Sequence, residues 1–387
     1  MSRKIYYITR SLAPFQTGGG PLMRKAAVEN LKALGWNVTV VMPNYESDQV
    51  IDIPDLIQIP FLYNHRVSIL LQMCGIYEDY LDKWVKSTFS YLEKIVKPED
   101  ILFCSAGGEL GTIKLGSLLQ KTFGCKFVIN LRDPIDFTLV NGLRINKRFH
   151  ISRERNEKKY LSNADLIITS SKSFQKALHN KYPTLQDRIV NNYFGYANMI
   201  DLKMYKKKPH QKLRIAYAGN MESAQKPQML LNALQKSKTK EMIELYFIGN
   251  YKNYRPLQNI KLPSIYCIDY LSHEAFLRFM VENIDVGFVS LADDYYSVCF
   301  PSKIYEYINL GLPILAALPD GDAKDLINEK EYGTACRYDS VTELSKAMDR
   351  FCDRNFLSTI KVNIMKDREK WSMKNQILQV DKLLTNL

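Results

Sequence analysis

The sequence predicts an α/β protein of two successive halves, each a parallel sheet flanked by helices, with a helical tail. Three observations carry that prediction. Short apolar, β-branched and aromatic runs alternate with amphipathic stretches of helical length along most of the chain. A polar, basic stretch from Met199 to Lys212, holding Lys206, Lys207, Lys208 and Pro209, breaks this rhythm near the middle, and it resumes at Leu213. The 387 residues suffice for two or three domains, each with its own core.

In the first half, Lys4–Thr9 reads as a strand and Gly18, Gly19 and Gly20 as a loop. Pro21 suits the first helical position, Ala26, Val28, Leu31 and Leu34 give that helix an apolar side, and Gly35 stops it. Val38–Met42 is a second strand, and residues 67–97 read as helical, with Lys83, Lys86, Lys94 and Lys97 on the wet side. Then follow strand Ile101–Ser105, helix Glu109–Thr122, strand Lys126–Leu131, a helix over 150–163, strand Leu166–Ser170, helix Phe174–Asn180 and strand Ile189–Tyr193. Strands separated by helices of this length imply βαβ units.

The second half repeats the pattern. Strand Leu213–Ala218, helix Pro227–Gln235, strand Leu245–Gly249, strand Ile265–Tyr270, helix Ser272–Asn283 and strand Val286–Leu291 are followed by helix Ser302–Leu310, which Gly311 stops. Strand Ile314–Ala317, helices Asp322–Glu331 and Val341–Phe351, and a long helical tail from about Leu357 to Leu384 complete it. Ligands of open α/β sheets bind beyond the carboxyl ends of the strands, so the strand-to-helix loops are where chemistry is expected.

Composition narrows the partners. The net charge of +12 favours anionic ones: phosphorylated metabolites, anionic headgroups or nucleic acid. No RNP, KH or helix-turn-helix pattern supports the last. The seven cysteines are dispersed without CxxC spacing and read as buried free thiols of a reducing compartment. The five histidines are isolated, and the adjacent Asp293 and Asp294 read as a solvated loop, so no metal site is expected. The amino-terminal run Ile5–Ile8 is too short for a signal peptide, and the apolar window Val67–Ile76 is too short to span a bilayer. A cytoplasmic protein is expected.

Three loops stand out. Gly18, Gly19 and Gly20 let backbone approach a ligand, but the spacing is neither GxGxxG nor a P-loop, which removes the main support for a dinucleotide dehydrogenase or a P-loop NTPase. Gly219 and Asn220 end the first strand of the second half, with Gln225 and Lys226 ahead of the next helix, a position suited to phosphate contact. The segment Phe300–Ile314 is the most informative. Ser302 suits an N-cap, and Lys303 falls in the first helical turn, unfavourable against the macrodipole unless an anion offsets it. Glu306 shares its helix face three residues on, so both can address one ligand; an exposed Lys–Glu pair is the other reading.

The segment Ser302-Lys303-Ile304-Tyr305-Glu306-Tyr307, followed by Gly311-Leu312-Pro313-Ile314, resembles the carboxyl-terminal motif of family 4 glycosyltransferases, as found in assembly of bacterial surface polysaccharide and lipopolysaccharide. Tyr217-Ala218-Gly219-Asn220, Gly249 at a strand end, Asn130-Leu131-Arg132-Asp133-Pro134 and Ala164–Ser170 match the same group in order. The resemblance implies a GT-B fold of two facing Rossmann-like domains. Residues 1–200 would form the acceptor side and 201–356 the nucleotide-sugar side, with 357–387 a helical tail packing back towards the first domain. It implies a retaining hexosyltransferase that moves a hexose or N-acetylhexosamine from a nucleoside-diphosphate sugar, UDP-sugar favoured, to a glycan or polyprenyl-linked acceptor, without a cofactor or bound metal.

By the same resemblance, Glu306 would accept hydrogen bonds from the donor ribose hydroxyls, and Gly219 and Asn220 would meet the diphosphate. Lys303, Ser302 and nearby amides, that of Ile304 among them, would stabilise the leaving diphosphate. Gln225, Lys226 and Gly249 would also lie on the donor side, and Tyr270-Leu271 would hold the base. Gly18, Gly19, Gly20, Arg132 and Asp133 would lie on the acceptor side. Asp133 is either an acceptor-side base there or a structural residue, paired with Arg132 or capping the loop. Two departures from the motif are visible. Val298 stands where many members have a second glutamate, and Asn220 stands where they often have an arginine, which places more of the phosphate neutralisation on Lys303.

Arg144, Lys147, Arg148, Arg153 and Arg155 mix with Leu143, Ile145, Phe149 and Ile151 in a basic, partly amphipathic stretch. Peripheral contact with an anionic membrane at its inner face is one reading; a solvated face and contact with nucleic acid are the others. Two competing functions are a sugar-nucleotide 2-epimerase of similar fold and a non-catalytic scaffold of that fold.

Overall fold

The computed structural model describes residues 4–16, 18–135, 147–258 and 262–387, and the side chains of all of these except 147–153. The chain forms two compact units, Met1–Ala197 with Met373–Leu387, and Asn198–Ser372.

In the first unit, β1 (Lys4–Thr9), α1 (Gly19–Ala33), β2 (Asn37–Asn44), β3 (Ile51–Ile53) and β4 (Leu56–Pro60) lead into α2 (His65–Met73) and α3 (Asp82–Leu92). Next come β5 (Ile101–Gly107), α4 (Gly111–Phe123), β6 (Lys126–Asp133), α5 (Lys147–Leu161), β7 (Leu166–Thr169), α6 (Lys172–Lys181) and β8 (Ile189–Asn191). The sheet order is β3-β4-β2-β1-β5-β6-β7-β8, parallel except where β3 meets β4. The strands are apolar on both faces because helices cover both, as Ile5, Tyr7, Phe103, Phe127 and Ile129 show by being almost wholly buried.

The second unit runs β9 (Leu213–Gly219), α7 (Gln228–Lys236), β10 (Ile243–Gly249), β11 (Ile265–Ile268), α8 (His273–Asn283), β12 (Val286–Ser290) and α9 (Ser302–Asn309). It continues with β13 (Ile314–Leu318), α10 (Asp322–Glu329), β14 (Gly333–Arg337), α11 (Val341–Phe351) and α12 (Arg354–Asp367). Its sheet is parallel, in the order β11-β10-β9-β12-β13-β14. After a short turn over Arg368–Trp371, α13 (Met373–Thr385) belongs to the first unit and packs against α1; Trp36 there donates to Asp381 at 2.7 Å.

Several expected elements differ. The helix over 67–97 is two helices. Asn64 caps α2 through the amides of Arg66 and Val67, Gly75 at φ +73° follows its end, and Asp82 opens α3 while accepting from the Glu78 amide. The hairpin of β3 and β4 had weak alternation, and it turns at Pro54 and Asp55, the latter at φ +68°. Strand β14 lacked a bulky apolar signature, because Gly333 passes so close to β13 that a Cβ would sit 1.7 Å from the Ile314 carbonyl oxygen. The tail is broken at Arg368–Trp371 rather than continuous. Helix α1 begins at Gly19, so Gly19 and Gly20 form its first turn, not a loop.

Candidate functional site

Each sheet has one place where the strand order reverses, and there the chain leaves adjacent strands in opposite directions and opens a crevice at their carboxyl ends. In the second unit it lies between β9 and β12. Gly219 ends β9 at φ +117° and Gly249 ends β10 at φ +140°. A Cβ on Gly249 would fall 2.2 Å from the Gly219 carbonyl oxygen, so only glycine fits this approach. The chain after β12 turns through Pro301 into α9, which lays Lys303 over Gly219: a Cβ there would meet Lys303 Cε at 3.0 Å and Nζ at 3.1 Å.

The position of α9 follows from its sequence. Tyr305, Tyr307 and Ile308 are buried; the Tyr307 ring lies flat over Gly287, where a Cβ would be 2.5 Å away, and its hydroxyl donates to the Phe288 carbonyl at 3.0 Å. Tyr305 stacks on Phe300 at 4.9 Å. With that side committed to the core, Lys303 and Glu306 share the remaining face. Ser302 is the first helical residue rather than the N-cap; Pro301 takes that position without a capping side chain. The first amides of a helix have no intrahelical acceptor, so this end is open to an anion.

Desolvation dominates the two charges. It lowers the Lys303 ammonium to about 8 and raises the Glu306 carboxyl to about 7. Each retains part of its surface, and they form no ion pair with one another. Lys303 Nζ reaches the Tyr217 hydroxyl at 3.5 Å, and that hydroxyl donates to the Asn220 carbonyl. A half-buried cation and carboxylate on one helix face, neither neutralised by a charged partner among the described residues, suit a ligand with both anionic and hydroxyl groups.

The other expected donor-side residues surround this point unevenly. Asn220 is exposed, and Tyr270 donates to its side chain at 3.4 Å. Lys226 adopts φ +44° in the turn before α7, and the Gln225 carbonyl accepts from Ser290. Ile304 is fully buried, its amide donating to the Pro301 carbonyl at 3.0 Å, so it offers no free amide. Tyr270 and Leu271 lie beyond the end of β11 at Ile268. Val298 is buried in a short turn. Asp293 and Asp294 are not merely solvated: Asp293 accepts from the Tyr295 amide, and Asp294 pairs with Arg337 at 3.0 Å.

In the first unit the reversal lies between β1 and β5. A cavity of about 820 Å³ opens there, lined among others by Arg10, Gly18, Gly20, Arg24, Gly107, Arg132 and Asp133. Strand β6 runs two residues past the expected end, so Arg132 and Asp133 are its last residues. Burial lowers Arg132 to about 10, with nearby Arg24 adding to the effect, and burial raises Asp133 against the pull of Arg132. Arg132 donates to the Gly20 carbonyl at 3.1 Å and lies 4.8 Å from the Phe194 ring.

Arg10, Arg24 and Glu109 were not singled out from sequence, and Tyr217 entered only as part of the Tyr217–Asn220 motif, without a role. Arg24 carries a faint signal, a charged residue on the buried side of α1 beside Met23, Ala26 and Ala27. Of the basic stretch, Arg144 and the side chains of Lys147, Arg148 and Arg153 lie outside the described residues, while Arg155 is exposed. Among the described residues no acidic, histidine or cysteine cluster could hold a metal, and no helix is long and apolar enough to cross a membrane. The cysteines are free; Cys104, Cys125 and Cys336 are buried as expected, whereas Cys74 is exposed because it caps the end of the surface helix α2.

No family model and no curated protein sequence matches the chain. Solved structures do. Sucrose-phosphate synthase from Thermosynechococcus elongatus matches 99% of this chain and 98% of its own, with a TM-score of 0.75 at 15% identity. Anabaena HepE in complex with UDP-glucose matches 99% and 100%, with a TM-score of 0.66 at 14% identity. WaaG, a glycosyltransferase involved in lipopolysaccharide biosynthesis, matches 98% and 99%, with a TM-score of 0.69 at 13% identity. The fold is therefore the α/β GT-B fold of parallel sheets with a carboxyl-terminal helical region.

Proposed function

We propose that the chain is a retaining glycosyltransferase of the family 4 type, transferring a hexose or N-acetylhexosamine from a nucleoside-diphosphate sugar, UDP-sugar favoured. The observation that carries this reading is the placement of Lys303 over Gly219, where the ends of β9 and β10 approach closely, with Glu306 three residues on along the same helix. In this reading Glu306 accepts from the ribose hydroxyls and the amides beside Gly219 and Asn220 meet the diphosphate. Lys303, with the amide of Ser302, stabilises the charge that develops as the bond from the anomeric carbon to the phosphate oxygen breaks. The acceptor hydroxyl attacks the same face of the sugar, and its proton passes to the departing phosphate. Asp133 would orient the acceptor. The fold shared with an Anabaena protein holding UDP-glucose favours a UDP-sugar.

The acceptor in this reading is a glycan or polyprenyl-linked oligosaccharide of surface polysaccharide assembly, a role consistent with the likeness to WaaG. A membrane-held acceptor requires contact with the inner face of the membrane. Val67, Leu70, Met73 and Ile76 on and beside α2 are exposed, and α2 lies against the basic α5. Apolar and basic residues together suit an anionic bilayer. Flotation with liposomes tests this contact: binding that needs anionic lipid supports it, and absence of salt-sensitive binding refutes it.

A thermal-shift screen with UDP, GDP, dTDP, CDP, ADP and NAD, with and without magnesium, tests the donor site. A ligand at 100 times its Kd stabilises by about 2.7 kcal/mol. A selective, metal-independent shift with one diphosphate is expected; its absence with all of them would overturn the assignment.

A further inference from the structure

The peptide group that joins Asn220 to Met221 is held at both of its polar ends. Its carbonyl, on Asn220, accepts from the Tyr217 hydroxyl, and its amide, on Met221, donates to Asn250 Oδ1 at 2.7 Å. The two side chains come from different strands. Tyr217 lies two residues before the end of β9, and Asn250 directly follows the end of β10. Gly219 and Gly249 are paired at those ends, so the strand register brings both side chains to one peptide. Farther along the same loop, the Ala224 carbonyl accepts from the Ala292 amide at 2.8 Å, and the Gln225 carbonyl accepts from the Ser290 hydroxyl.

A peptide group in a loop can turn over by rotation about its two flanking torsions, with little movement of the chain on either side. Here that rotation would release the Asn220 carbonyl from Tyr217 and leave a partial negative charge free beside Lys303. Tyr217 is wholly buried and Met221 nearly so, which keeps both anchors in place. The Tyr217 hydroxyl also faces the ammonium. Lys303 Nζ stands 3.5 Å from it, and the hydroxyl proton is already engaged by the Asn220 carbonyl, so its oxygen lone pairs are left for the cation. The hydroxyl thus takes up a carbonyl that would otherwise compete with a ligand for Lys303. Polar groups fixed before a ligand arrives need no reorganisation when it binds.

We propose that Tyr217 and Asn250 are positioning residues. Together they fix the Asn220–Met221 peptide, so that the loop after β9 meets a diphosphate with amides and an uncommitted Lys303 rather than with a carbonyl. The diphosphate rests on the glycosyltransferase reading; the fixed peptide does not.

Two mild substitutions in the full chain test this. Tyr217→Phe keeps the ring beside the ammonium and removes only the hydroxyl, and Asn250→Ala removes the acceptor from a partly exposed residue. Hydrogen exchange of the Met221 amide, without ligand, reads the peptide itself. It should quicken about tenfold or more in Asn250→Ala, and also in Tyr217→Phe, where the acceptor of that amide is still present. Calorimetric titration with UDP and with GDP, at a temperature where every variant is fully folded, reads the site. Each single variant should weaken the diphosphate that the parent binds by about three- to tenfold, the value of one hydrogen bond. The double variant should bind about as well as the weaker single one, because freeing one peptide twice has no further effect. A merely supporting role would lower the melting temperature and leave affinity at the parent value. Unaltered Met221 exchange in Tyr217→Phe, unaltered affinity in both single variants, or losses that multiply in the double variant would overturn the proposal. A parent that binds neither diphosphate while Met221 exchange responds as expected would uphold the fixed peptide and remove the donor reading instead.

Discussion

Lys303 Nζ lies 4.8 Å from the centre of the Tyr217 ring, with the hydroxyl of that ring 3.5 Å away. Its partner is thus a neutral aromatic face, not a carboxylate. A cation–π contact steadies an ammonium without cancelling its charge. Tyr217 keeps its proton, because burial raises its pKa and its hydroxyl donates to the Asn220 carbonyl. The arrangement holds a desolvated positive charge above the glycine turn for an anion to meet.

Lys303→Met should weaken nucleoside-diphosphate binding by about ten- to a hundredfold, the loss of one or two charge-assisted hydrogen bonds. A bound diphosphate also raises the ammonium pKa from its lowered position near 8. At pH 8 to 9 binding therefore takes up a fraction of a proton. Titrations in buffers of different ionisation enthalpy read this uptake directly, and it should vanish in Lys303→Met.

Glu306→Gln should separate stability from binding. The carboxyl is raised to about 7 by desolvation, so the folded state holds its proton more tightly than the unfolded chain. Stability of the free protein then falls as pH rises from about 4.5 to 7, and the penalty stays in full above that range. The glutamine variant carries no such charge. Its melting temperature should exceed that of the parent at pH 8 and equal it at pH 4, while nucleotide binding weakens. A variant less stable than the parent at pH 8 would place an ionic role for Glu306 inside the fold.

Much of this arrangement was legible in the sequence. The strand-to-helix junctions at Gly219 and Ser302 stood out because glycine and a lysine at a helix start conflict with bland structure. Tyr217 entered only as one residue of a motif, without a role, and Arg24 and Glu109 did not stand out. A tyrosine in an apolar strand and a charge on a helix look ordinary until the strand order brings them to one crevice, and strand order is a long-range property. The hairpin of β3 and β4 and the small-residue strand β14 escaped for the opposite reason: their local patterns are weak, and neighbouring strands determine them.

Gly249→Ala should be strongly destabilising. Alanine at φ +140° is strained, and its Cβ would collide with the Gly219 carbonyl at 2.2 Å. A loss of roughly 2–4 kcal/mol is expected. Because the collision pushes the Gly219 turn, UDP affinity should fall with it. Gly124→Ala is the control: it also has positive φ, at +74°, but nothing within 4 Å of a Cβ, so it should cost only about 1 kcal/mol. Denaturant titration of both variants checks the difference.

Arg368 should control the site from a distance. It is buried, and its Nε donates to the carbonyl of Asn309, the last residue of α9, at 2.7 Å. One Nη bonds the Asn309 side chain at 3.2 Å and the Ile200 carbonyl. A cation at a helix carboxyl end satisfies open carbonyls and complements the dipole. The guanidinium therefore holds one end of the helix whose other end presents Lys303. Arg368→Gln leaves buried carbonyls unmet and should lower stability by roughly 2–4 kcal/mol. Arg368→Lys keeps the charge but not the fork, and should recover less than half of that. If Arg368 sets the position of α9, nucleotide affinity falls in both variants at temperatures where each is still fully folded. If it only adds stability, affinity there stays at the parent value, so measuring both quantities on the same samples separates positioning from support.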